Sequence, residues 1–460
     1  MISRSAVTRG TQLALRRQGC AFAQRRGYAA AAAIGSESGS YEPTDIAGIK
    51  VAHKDAHGPT TKLAVVAKAG TRYQPLPGLT IGLEEFAFKN TQKRSALRIN
   101  RESELLGGQL NAFHTREALV LEASFLKEDL PYFTELLGEV LTQTKYTTHE
   151  FHENVENIIH LKQDKLAHDA SAQALDAAHA VAFHSGLGAP LYPLANSALG
   201  SYLSEHSVAA FAEAAYVKPN IALVADGASQ SALAKWVEPL FKGVASSSTS
   251  QLSLNTAASK YYGGEQRVAN GSGNSMVIAF PGAALGASKP ETAVLKALLG
   301  GQSSIKWSPG FTLLAKAAAA APGASVSASN FAYSDAGLFA IQISGSACAV
   351  RKCAEEAVKA VKSVAEGGVS KEDLTKAIAK AKFDALTAQE LSGAGLVAAG
   401  TSIIHGAQPF KPAEAVKSFD GVTADKVKAA AKALLDGKAS VATVGDLYAL
   451  PYAEELGLKV

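Results

Sequence analysis

Two adjacent carboxylates, Glu84 and Glu85, lie in the segment G-L-T-I-G-L-E-E-F-A-F-K-N-T that begins at Gly78. On a helix, neighbouring side chains point about 100° apart, so the two are expected to share a site poorly as a metal-free acid/base pair. A second group worth weighing is His149, His152, Glu153, Glu156 and His160. His149 and His152 fall on one face of a helix and Glu156 lies one turn beyond His152, a spacing that could hold a metal or form a solvated charged face. A third is the glycine-containing run Leu298-Leu299-Gly300-Gly301-Gln302-Ser303-Ser304-Ile305-Lys306-Trp307-Ser308-Pro309-Gly310. It matches neither G-x-G-x-x-G nor G-x-x-x-x-G-K-[ST], so phosphate binding by either route is not supported. Cys348 and Cys353, five apart, lack the second cluster a zinc site needs and are expected to be buried thiols.

The elements that must position these groups come in two similar series. Strands are expected at 61–68 and 118–125, a helix through 81–88, and an amphipathic helix at 130–142. The apolar positions Leu130, Phe133, Leu136, Leu137 and Val140 of the latter keep a 3.6-residue period. A further helix is expected over 148–168, capped by Thr148. The second series repeats the order, with strands at 275–280 and 337–343 and helices at 291–299, 349–365 and 370–386, the last capped by Ser370. Each series closes on a strand, at 220–226 and 439–445. Strands alternating with helical runs of this length predict an α+β protein of two homologous domains, each a mixed sheet backed by helices. The Ser/Thr-rich stretch 244–260 reads as a linker between domains at 40–243 and 261–460.

With this frame, the segment at Gly78 resembles the inverted zinc motif H-x-x-E-H of the pitrilysin-type metallopeptidases and the mitochondrial processing peptidase. Phe88-Lys89-Asn90-Thr91 matches the tail of that motif. Glu104, Gly107-Gly108, Asn111-Ala112 and Thr115-Arg116-Glu117 match the family's next block. In this register the two zinc-binding histidines fall on Ile81 and Glu85, and Glu84 stands in the place of the general base. The third ligand, a Glu some 75 residues downstream in the family, falls near Leu161. A catalytic zinc needs three protein ligands and a water. Isoleucine and leucine supply no lone pair, so zinc hydrolysis by this route is excluded, and neither a metal nor another cofactor is expected.

Composition bounds the rest. The 460 residues are 47% hydrophobic and 19% charged, with room for two cores. No stretch approaches the ~18 to 20 apolar residues of a membrane-spanning helix. The net charge of +4 is misleading, because residues 1–28 hold Arg4, Arg9, Arg16, Arg17, Arg25 and Arg26 and no acid, which leaves the remainder slightly negative. A nucleic-acid footprint is therefore not supported. The arginine-rich, acid-free start predicts a mitochondrial transit peptide over 1–28, cut after Tyr28.

A transit peptide and a zinc-less framework together resemble the non-catalytic core-protein branch of this family, found in the mitochondrial ubiquinol–cytochrome c reductase (complex III). Tyr216-Val217-Lys218-Pro219-Asn220 and Tyr333-Ser334-Asp335-Ala336-Gly337-Leu338-Phe339 support that resemblance. It implies a structural role, with the two halves closing face to face on the matrix side of the inner membrane. The implied partners are a homologous core protein 1, cytochrome b, cytochrome c1, the Rieske protein and small subunits. The alternative is the presequence-binding, non-catalytic subunit of the processing peptidase. Its longer glycine loop is interrupted here by Trp307 and Pro309.

Overall fold

The computed structural model describes residues 40–55, 58–194, 197–285, 289–302 and 310–460. The proposed transit peptide and most of the glycine-containing run lie outside the described residues. The first half opens with strands β1 (Glu42–Ile46), β2 (Ile49–Lys54) and β3 (Thr60–Ala67), then helices α1 (Leu79–Phe86) and α2 (Ala96–Leu105). Strands β4 (Gln109–His114) and β5 (Leu119–Leu126) follow, then α3 (Leu130–Gln143). After a helical turn at Thr148–Glu150 and a π-helical stretch at Phe151–Glu156 come α4 (Asn157–His168), α5 (Ala170–Phe183), α6 (Glu205–Ala215), β6 (Ile221–Asp226) and α7 (Gln230–Leu240). The second half comprises β7 (Gly264–Ala269), β8 (Asn274–Pro281), α8 (Pro290–Leu299), α9 (Leu313–Ala320), β9 (Ala324–Ala332), β10 (Gly337–Gly345), α10 (Ala347–Glu366), α11 (Lys371–Glu390), α12 (Ser392–Ile404), α13 (Pro412–Asp420), α14 (Ala424–Asp436) and β11 (Ser440–Gly445).

Each half builds one mixed sheet. The first runs β1-β2-β6-β3-β5-β4 and the second β7-β11-β8-β10-β9. In each, one pair is parallel, β2 with β6 and β11 with β7, and every other pair is antiparallel. Removing β1 makes the two orders equivalent, so the repeat expected from the sequence is present in the topology.

The central strands are buried on both faces, and this is why they read as apolar runs rather than alternating ones. In β3, Leu63, Val65 and Ala67 join the core formed with α1, α3, α6 and α7. Ala64 and Val66 face the opposite side, where Leu396, Ala399, Ile403 and Ile404 of α12 cover them. The second sheet is treated reciprocally. Its Val277, Ala279, Leu338, Ala340, Ala442 and Val444 pack under Ala170, Ala174, Ala178, Ala182 and Phe183 of α5. Each half thus lends a helix to the other's sheet. Both lent helices are rich in small residues, which lets their backbones lie close to the strands. Gly400 shows how close: a Cβ there would overlap Val66 and stand 3.1 Å from Val224 Cγ2.

Several local expectations need correction. Residues 148–168 are not one α-helix, since the π-helical stretch interrupts them. Their cap is Thr147, whose side chain accepts from the Glu150 N–H, and not Thr148. Cys353 is buried as expected, but Cys348 is exposed at the start of α10. The expected linker 244–260 carries no helix or strand, and Ala257 and Ser259 within it bond to Arg72 and Asp335. Among the described residues no helix is long and apolar enough to cross a membrane.

Candidate functional site

The motif helix α1 begins at Gly78, whose φ of 96° is left-handed backbone that glycine adopts without strain. No side chain caps its start, but the Gln74 side chain accepts from the Thr80 N–H at 3.2 Å. Leu79, Thr80, Ile81, Gly82, Leu83 and Phe86 are all buried, and Gly82 admits Val208 of α6 so closely that a Cβ would sit 2.8 Å from Val208 Cγ2. Ile81, where the sequence leads one to expect the first histidine, is 1% exposed and belongs to the core. The last turn of α1 delivers Glu84 and Glu85 to the edge of that core.

The two carboxylates do share a site, contrary to the expectation from their angular separation. Lys162 of α4 reaches between them and donates to Glu85 Oε1 at 2.6 Å and to Glu84 Oε1 at 2.9 Å. A long flexible amine bridges two divergent carboxylates that could not both face one rigid point. The other oxygen of Glu84 bonds to Nδ1 of His114, at the end of edge strand β4. His114 Nε2 faces the Leu191 carbonyl at 2.9 Å. Both ring nitrogens thus face oxygen atoms. Tyr192 closes the cluster, with its ring centroid 5.4 Å from that of His114 and 5.5 Å from Lys162 Nζ.

Leu161 does not take part. Its side chain is 67% exposed, while the adjacent Lys162 turns inward. A π-helical stretch precedes this turn of the helix. Buried positions Phe151, Val155 and Ile159 follow one another at four-residue intervals.

Electrostatics make this a poor catalytic centre and a good structural one. Burial alone would raise the Glu84 carboxyl, but the hydrogen bond and charge of His114 and the contact with Lys162 outweigh it and hold the group below its ordinary range. A general base working near neutrality is tuned in the opposite direction. Burial likewise disfavours charge on Lys162, yet hydrogen bonds to Glu85 and Glu84 raise its affinity for the proton. Among the described residues, no group of three or more His, Cys, Asp and Glu side chains is placed to hold a metal ion. The residues present do not fit a zinc ion: Ile81, at the first ligand position expected from the sequence, is a core side chain without a lone pair, and an ammonium already fills the space between Glu84 and Glu85.

The other sequence candidates disperse. His149 pairs with Glu153 at 3.3 Å and His152 with Glu156 at 2.9 Å, all on an exposed surface. His160 turns instead to the Gln163 side chain at 3.1 Å. The block 115–117 serves a joint between the halves. Arg116 bonds to Asp176 of α5 and to the Leu187 carbonyl at 3.0 Å. Glu117 accepts from Arg72 Nη1 at 2.7 Å and from the Ser334 hydroxyl at 2.6 Å. Arg72 in turn donates to both oxygens of Asp335, at 2.7 and 2.5 Å. His114, Lys162 and Arg72 carried no signal of their own in the sequence, because each acquires its partners from segments distant along the chain.

The two equivalent mixed sheets, the helix carrying 81–85 and the joint at 115–117 define a peptidase-type framework, and the comparison with known families agrees. The model for the insulinase family, peptidase family M16, matches residues 50–193, and that for the peptidase M16 inactive domain matches residues 202–381. The chain belongs to the M16 peptidase family. It is 69% identical, over the full length of both chains, to a Neurospora crassa protein named cytochrome b-c1 complex subunit 2, mitochondrial. A protein of the same name from Cryptococcus neoformans is 41% identical over 90% of this chain and 94% of its own. The mouse protein of that name is 29% identical over 89% of this chain and 90% of its own.

Proposed function

We propose that this chain is a non-catalytic, structural core subunit of mitochondrial respiratory complex III, the cytochrome b-c1 complex, needed for its assembly and stability. The observation that carries the reading is identity of 69% across the whole length of a relative that bears that subunit's name. Ile81 in the core, Lys162 between Glu84 and Glu85, and the exposed Leu161 support the non-catalytic part, since Ile81, Glu85 and the 161–162 position offer no ligand set for zinc. Residues 1–28 act as the transit peptide, 40–243 and 261–460 as the two peptidase-like domains, and 244–260 as their connection. The subunit lies peripherally on the matrix side of the inner membrane. There it contacts core protein 1, cytochrome b, cytochrome c1, the Rieske protein and small subunits, and binds no cofactor of its own.

Native gel electrophoresis of detergent-solubilised mitochondria tests this. The chain is expected to co-migrate with b- and c-type haem absorbance, and its depletion is expected to remove the fully assembled haem-containing band. Co-purification only with a zinc-bearing peptidase subunit would overturn the reading.

A further inference from the structure

The site that the family fold reserves for a metal is not simply degraded here. The acid of the general-base place, Glu84, remains, a second acid, Glu85, stands where a histidine is expected, and two adjacent acids at the edge of a core need a compensating cation. Glu84 is 9% exposed and Glu85 16%, and both oxygens that face α4 are taken by one ammonium. We infer that Lys162 is the resident cation of this site, a tethered replacement for a metal ion. We further infer that position 162, not 161, occupies the third-ligand place of the metallopeptidase framework. The inference rests on the non-catalytic reading above, but its test uses the purified chain and does not depend on assembly into any complex.

Three observations converge on it. Lys162 meets the two carboxylates at 2.6 and 2.9 Å, the contacts of a charge-assisted bond on each side. Ile81 lies one helical turn before Glu85 and so on the same side of α1 as the carboxylate nearest the ammonium. Leu161 points to solvent, so no side chain placed there would reach α1 without turning the helix. The groups against the ammonium are Glu84 and Glu85 of α1 and the face of Tyr192, while His114 of β4 bonds the other oxygen of Glu84. The ammonium therefore does two things at once: it neutralises the acids and ties α4 to α1, and it repels any divalent ion from the position it fills.

The test is a set of reversions in the full chain, read as zinc content after dialysis and as the visible spectrum with cobalt. Ile81→His with Glu85→His and Lys162→Glu is expected to hold about one zinc per chain, as a three-ligand site would. The same pair of histidines with Lys162 retained, and the same pair with Leu161→Glu in place of Lys162→Glu, are expected to hold almost none. Zinc in either of these, or in the unmodified chain, overturns the inference, as does a folded triple variant that stays empty. A histidine at the buried position 81 could prevent folding, so a second measurement stands beside the first. Urea midpoints are taken for Glu85→Gln, Lys162→Met and the pair. Lys162→Met should lower the midpoint markedly in the parent and much less once Glu85 is neutral; additive shifts would remove the ammonium from the role assigned to it.

Discussion

His179 sits at the meeting of the two halves with both ring nitrogens committed, Nδ1 to the Leu175 carbonyl at 2.8 Å and Nε2 to the Tyr333 hydroxyl at 2.8 Å. Burial pushes its ionisation down from 6.5 to about 3, with the nearby charge of Arg116 acting in the same direction. The unfolded chain therefore takes up a proton on this ring that the folded chain refuses. Its stabilising contribution is full above pH 6.5 and declines as the pH falls from 6.5 towards about 3. His179→Gln, which cannot titrate, is expected to flatten that part of the stability curve, measured as urea midpoints across a pH series. An unchanged slope would show that the ring is not buried in its neutral form. At this scale the sequence was informative only where a motif fixed a register. Ile81, Glu84 and Glu85 could be placed because Phe88-Lys89-Asn90-Thr91 follows them, whereas His114 lies 30 residues from the Glu84 it binds and has no spacing to betray it.

Among the elements, α12 illustrates what local sequence conceals. It carries Gly393, Gly395 and Gly400, residues that cost helix stability wherever they stand in its interior. The compensation is tertiary: Leu396 is wholly buried with Ala64, Val66 and Val224 beneath it, and Gly400 leaves room for Val66. Gly400→Val should therefore be destabilising despite its better local fit to an apolar face, because the added carbons have nowhere to go. Leu396→Ala is expected to cost about 2 to 5 kcal/mol through the cavity it opens. Thermal unfolding of both variants checks this, and a neutral Gly400→Val would mean that α12 stands off the sheet. The strongly periodic elements were legible, α3 and α10 among them, since their apolar stripes face a single core. The edge strand β4, the π-helical stretch and the lent helices were not. Their conformations answer to a neighbouring sheet or a widened turn rather than to any pattern of their own.

For the whole molecule, Arg72 is the clearest point of union. Its guanidinium is 5% exposed and bonds within the first half to Glu117 and in the second to Asp335 and Ser334. Burial alone would raise the Asp335 carboxyl, but its hydrogen bonds to Arg72 and Ser259 and the charge of Arg72 together outweigh this and keep it below its ordinary range. Arg72→Met would leave Glu117 and Asp335 facing each other without a cation, and is expected to cost about 3 to 5 kcal/mol, measurable as a lower urea midpoint. A loss within a few tenths of a kcal/mol would show that solvent reaches the joint.

The exchange of α5 and α12 has a mechanical corollary. The peptide link across residues 244–260 is not what keeps the halves together, because each sheet is roofed by a segment belonging to the other side of that link. A protease that nicked the chain there should yield two fragments that elute as one particle under native conditions and part only in denaturant.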